Sequence, residues 1–135
     1  MARGFTLIEA VVVIGLLAAV AGIGLFGSLG MYRASSLEDE RDLLVSLLER
    51  ARSHALANLH ESSHGVCAEE DRYVVFRVPF IVEEESPRNS SIASDLSACI
   101  VFAARSATTS PAEITLMSGE ASAVITINGE GAIGW

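Results

Sequence analysis

From Phe5 to about Tyr32 the chain is a long apolar run that carries a single charge, Glu9 near its head. About 20 apolar residues in a helix cross the hydrocarbon core of a bilayer, so residues 5–32 predict a membrane-spanning helix. A carboxylate at the centre of such a span costs roughly 2.5–3.5 kcal/mol on insertion scales, so Glu9 calls for a cationic partner. An ammonium group on a neighbouring chain would serve. Gly15, Gly22, Gly24, Gly27 and Gly30 interrupt the run, four of them in its second half. Two readings stay open there: softening, at about 1 kcal/mol per glycine relative to alanine, or close helix packing through small residues.

Beyond the run, Ser35 and Glu38 have the spacing of a capping box, which predicts a fresh helix start and a bend where the two helices join. Leu37, Leu44, Leu48, Ala51, Ala55 and Leu59 recur at helical spacing, with Arg41, Glu49, Arg52 and His60 on other faces. This is the pattern of an amphipathic helix lying on an apolar surface. That surface is expected to be a sheet, because Tyr73–Val78, Cys99–Phe102, Ile114–Leu116 and Ala123–Ile127 are rich in β-branched and aromatic residues. Asn128-Gly129 is a two-residue hairpin signal leading into a last strand at 132–135. Pro79 marks a strand end or edge, and residues 83–91, with three successive glutamates, read as an exposed loop. The fold class is α+β: a long membrane-spanning helix continuing into an amphipathic helix packed on an antiparallel sheet.

Composition narrows the picture. The 135 residues leave room for one modest core after Tyr32. A net charge of −8 repels phosphate backbones, which disfavours nucleic acid as a partner. Arg3 ahead of the run favours a cytoplasmic N-terminus and an extracytoplasmic domain. An oxidising compartment would let Cys67 and Cys99 form the one possible intramolecular bridge. Two unpaired, buried thiols remain the alternative.

The order Arg3-Gly4-Phe5-Thr6-Leu7-Ile8-Glu9-Ala10 followed by the apolar run resembles the N-terminus of type IV prepilins and type II secretion pseudopilins. The resemblance implies that a prepilin peptidase removes residues 1–4 by cutting between Gly4 and Phe5, and N-methylates Phe5. It implies that Glu9 pairs with the Phe5 ammonium of an adjacent subunit during filament assembly. Residues 5–32 would form the filament core and residues 33–135 an extracytoplasmic pilin-like domain. The partners implied are other pilin or pseudopilin subunits, the peptidase, the bacterial inner membrane and assembly platform proteins. The helix segment Leu48–Asn58, then Gly65-Val66-Cys67, Tyr73–Phe76 and the closing run Ile125–Gly131 resemble the GspH/FimT family of minor pilins and pseudopilins. A plain signal anchor or secretory signal peptide is the competing reading, although a secretory core is shorter and neither requires Glu9.

Candidate chemistry elsewhere is sparse, and neither an enzyme nor a cofactor is expected. His60 and His64 at i, i+4 with Cys67 nearby could ligate a metal, but Ser62-Ser63 and Gly65 point to exposed histidines at a helix end instead. Ser53 and His54 are adjacent on a helix and do not face each other, which makes them a poor nucleophile and base. Glu83–Glu85 lack the alternating oxygen spacing of a calcium loop. No metal site is expected. A second functional reading is a DNA-uptake minor pilin: residues 128–135 hold no basic side chain, whereas Arg72, Arg77, Arg88 and Arg105 could cluster in the fold.

Overall fold

A computed structural model describes residues 6–135, with the side chains of residues 23–33 outside the description. The chain divides into two units, Met1–Ala34 and Ser35–Trp135. Helix α1 (Leu7–Leu56) supplies residues to both. In the first unit it presents Leu7, Ile8, Val11, Val12, Leu16, Leu17 and Val20 as exposed apolar side chains.

The expected membrane-spanning helix is corrected here. Among the described residues no helix is long and apolar enough to cross a membrane. From Glu38 the same helix carries Glu38, Asp39, Glu40, Arg41 and Asp42, whose charges exclude it from hydrocarbon. A single-pass placement in the inner membrane is therefore not supported. The fresh helix start at Ser35 is also corrected, because helical structure runs through Ser35 and Glu38 without a break. Ser36 instead accepts a hydrogen bond from Asn89 Nδ2 at 2.8 Å, and the buried Glu40 carboxylate accepts the Asn89 N–H.

The second unit is built on the amphipathic stripe. Leu37, Leu44, Val45, Leu47, Leu48, Ala51 and Ala55 of α1 are buried. The helix stops before Leu59, which is exposed, because Asn58 turns into the left-handed region at φ 52°. Asparagine tolerates that conformation and commonly ends helices. A 3-10 turn at Leu59–Glu61 follows.

Eight strands follow: β1 (His64–Ala68), β2 (Arg72–Arg77), β3 (Ile81–Pro87), β4 (Ala93–Ser94), β5 (Ile100–Phe102), β6 (Ala112–Ser118), β7 (Ala121–Ile127) and β8 (Ile133–Gly134). They form two antiparallel sheets rather than the single one expected, in the orders β3-β2-β1-β5 and β4-β6-β7-β8. Val66, Tyr73, Val75, Ile100 and Phe102 from the first sheet, and Ile114, Leu116, Ile125 and Ile127 from the second, meet the helix stripe in one core.

Two local expectations change. The stretch expected as a loop at 83–91 begins as strand β3, an edge strand whose outer side is unpaired among the described residues. The turn after β7 is the longer loop 128–132 and not a two-residue hairpin. Asn128 Oδ1 accepts the N–H groups of Glu130 and Ala132, and Gly131 takes a positive φ of 76° that glycine adopts without a steric penalty. Strand β8 is short, and Trp135 after it stands 63% exposed.

Candidate functional site

Two places carry chemistry. The first is the head of α1. Gly4 and Phe5, expected to flank a processing cut, lie outside the described residues. Glu9 lies in the first turn, where its backbone N–H donates to the Thr6 carbonyl at 3.1 Å and lies 3.4 Å from Thr6 Oγ1. Thr6 and Glu9 share the capping-box spacing read at Ser35, and the helix begins here and not there. A carboxylate in the first turn is favoured by the N-terminal end of the helix dipole. Among the described residues no cation pairs with it. Glu9 therefore stands as the one acid on an otherwise apolar, exposed helical segment.

The second place lies where α1, β1 and β3 meet. Arg50 and His54 are four residues apart and so share a helix face. Opposite them, β3 pairs with β2 as Val75↔Glu84 and then Phe76↔Val82, which leaves Glu83 as the extra residue of a β-bulge. Successive side chains of a regular strand point to opposite faces. The bulge re-aims one of them, so that Glu84 meets Arg50 while Glu83 meets His54, both on α1.

His64 comes up from β1 beneath this pair. Its side chain is 0% exposed, and among the described residues neither ring nitrogen has a hydrogen-bond partner. Glu83 Oε2 lies 3.4 Å from His54 Nδ1 and 3.6 Å from His64 Nε2. The two rings stand edge to face with centroids 5.4 Å apart. Arg77 Nε sits 3.8 Å from the other carboxylate oxygen, Oε1, and steadies the group from behind. The backbone of Glu83 is exposed on the edge strand, but its side chain is only 20% exposed.

This arrangement revises the expectation for the histidines. His60 is exposed on the 3-10 turn, as expected, whereas His64 is a buried strand residue. Cys67 is not a free ligand, because it is joined to Cys99 in a disulfide. His54, adjacent to Ser53 in sequence, turns to Glu83. The acidic run engages cations one by one: Glu83 beside Arg77, Glu84 with Arg50 and Glu85 with Arg72.

The arginines considered for DNA are largely occupied. Arg72 pairs with Glu69 at 2.7 Å and Glu85 at 3.4 Å, and Arg88 donates to the carbonyls of Glu69 and Ile92 while lying over the Tyr73 ring. No family model, curated protein or solved structure matches the chain.

The cluster of His54, His64 and Glu83 is absent from the sequence reading. The two histidines lie on different elements, and the glutamate joins them only through the bulge. The one available signal is a histidine inside the otherwise apolar strand His64–Ala68.

Proposed function

We propose that the chain is a structural subunit of a filament of the type IV pilin and type II pseudopilin kind, acting by packing and not by catalysis. The observation that carries the reading is Glu9: a lone carboxylate in the first turn of a helix whose apolar side chains are otherwise exposed, Leu7 by 83%. Contiguous apolar surface of this kind marks a contact surface. Covering one Leu, Ile or Val side chain contributes roughly 1.5–3 kcal/mol. Equivalent helices of neighbouring subunits would cover it, and a charge enclosed among them needs a counter-charge. The Phe5 amine freed by removal of residues 1–4 would supply that charge from the adjacent subunit. An α+β unit following such a helix agrees with the reading, with the minor GspH/FimT-like subclass as its finer form.

The test is Glu9→Ala in cells that assemble the filament. Incorporation is expected to fall by about tenfold or more, the direction expected when one partner of an enclosed charge pair is removed. The thermal melting of the 35–135 unit should stay unchanged, because Glu9 lies outside its core. Normal incorporation would remove the pairing, and with it the ground for the reading. The DNA-uptake alternative gains nothing from the arginines, three of which face acids or carbonyls.

A further inference from the structure

We propose that His54, His64 and Glu83 form a zinc site. This inference stands apart from the filament reading, since all three residues lie in the unit after Ala34. The candidate ligand atoms lie within 4.8 Å of one another. Tetrahedral zinc bound to nitrogen and oxygen at about 2.0–2.2 Å sets its ligands roughly 3.3–3.6 Å apart. The two edges from Glu83 Oε2, at 3.4 Å and 3.6 Å, already have that length. The remaining edge, between the histidines, lies within the same 4.8 Å, and a small rotation of the partly exposed His54 ring would close it.

The fixed member is the strongest ground for the site. A fully buried imidazole with two unpartnered nitrogens loses the hydrogen bonds that water would give it, and native proteins rarely leave such a group unsatisfied. At 3.6 Å the Glu83 carboxylate is too far for a hydrogen bond to Nε2. An ion between them would give Nε2 its missing partner and bring the carboxylate into direct use. The donor set selects the metal: two imidazoles and one carboxylate suit zinc, whereas calcium and magnesium take oxygen ligands almost exclusively. Three protein donors leave the fourth position to water. Arg77, on Oε1, would act as the positioning residue that keeps Oε2 turned to the metal.

The experiment uses the full chain with its disulfide intact, in detergent micelles that cover the exposed apolar helix. It is titrated calorimetrically with zinc chloride and, separately, with calcium chloride. One zinc per chain and no saturable calcium binding are expected. Because His64→Ala opens the core, the decisive variants are Glu83→Gln, near-isosteric on an edge strand, and His54→Ala, on the helix surface. Each should weaken zinc binding by about a hundredfold or more, since even outer-sphere changes cost 10–100-fold. Their metal-free melting curves report that the fold is kept. His60→Ala should bind as the wild type does. No saturable zinc binding by the wild type, undiminished binding by either decisive variant, or calcium bound as tightly as zinc would each overturn the proposal.

Discussion

Tyr73 shows how a single buried group sets a pH limit. Its side chain is fully enclosed, and among the described residues its hydroxyl has no well-formed hydrogen bond, although Glu40 and Arg88 lie beside it. Burial pushes its pKa well above the ordinary tyrosine value, the neighbouring Glu40 carboxylate adds to the rise, and Arg88 opposes it. The folded chain therefore keeps a proton that the unfolded chain gives up near pH 10. This contribution is fully present below about pH 10 and is lost as pH rises towards the folded value, by up to about 1.4 kcal/mol per pH unit. Tyr73→Phe should remove that alkaline slope, as read from urea unfolding at about pH 8 and pH 11, and cost little at neutral pH, where it deletes an unsatisfied hydroxyl. Equal slopes in the two proteins would show that other groups control alkaline unfolding. Burial of Tyr73 follows from its place in a β-branched run and is legible in the sequence. The proximity of Glu40, from a helix 33 residues earlier, depends on packing.

Among the elements, the helix is the most legible and β3 the least. The stripe from Leu37 to Ala55 repeats at 3.6 residues, a signal contained within one segment. Strand β3 has no alternation at Glu83-Glu84-Glu85, because its edge position and its bulge relax the two-residue period that sequence reading relies on. The same physics hides the cluster of His54, His64 and Glu83, which exists only once the bulge has turned Glu83 to the helix. Central strand β1 depends on a feature of the opposite kind, an absent side chain. A Cβ on Gly65 would lie 2.5 Å from the Ile100 carbonyl oxygen and 2.9 Å from Phe76 Cζ. Backbone on one side and a ring on the other leave it no room. Gly65→Ala should destabilise the second unit by about 1–3 kcal/mol, the usual range for overpacking, seen as a lower urea midpoint. An unchanged midpoint would mean that β1 and β5 separate more easily than their pairing suggests.

At the scale of the whole molecule, the Cys67–Cys99 bridge closes the chain over a sequence separation of 32. That loop holds β2 and β3 of the first sheet and β4 of the second, so the bridge limits how far the unfolded chain can spread both. In the chain-entropy view a loop of this size contributes roughly 3–4 kcal/mol. Reduction should lower the urea midpoint accordingly while leaving the native circular dichroism intact at low denaturant. A midpoint that does not move on reduction would assign the stability to the core alone. The pairing is legible from the count of two cysteines. The partition of the strands into two sheets is not, because strand order rests on contacts far apart in the chain.

The exposed C-terminal residue has a practical consequence. Trp135 is the only tryptophan, and it sits outside the core beyond a two-residue strand. Its indole is bathed in solvent while the protein is folded, so unfolding changes its surroundings little. Its fluorescence is thus nearly silent on folding and responsive to whatever comes to rest against that end of the sheet. The molecule carries a built-in optical reporter of anything that covers that end of the sheet.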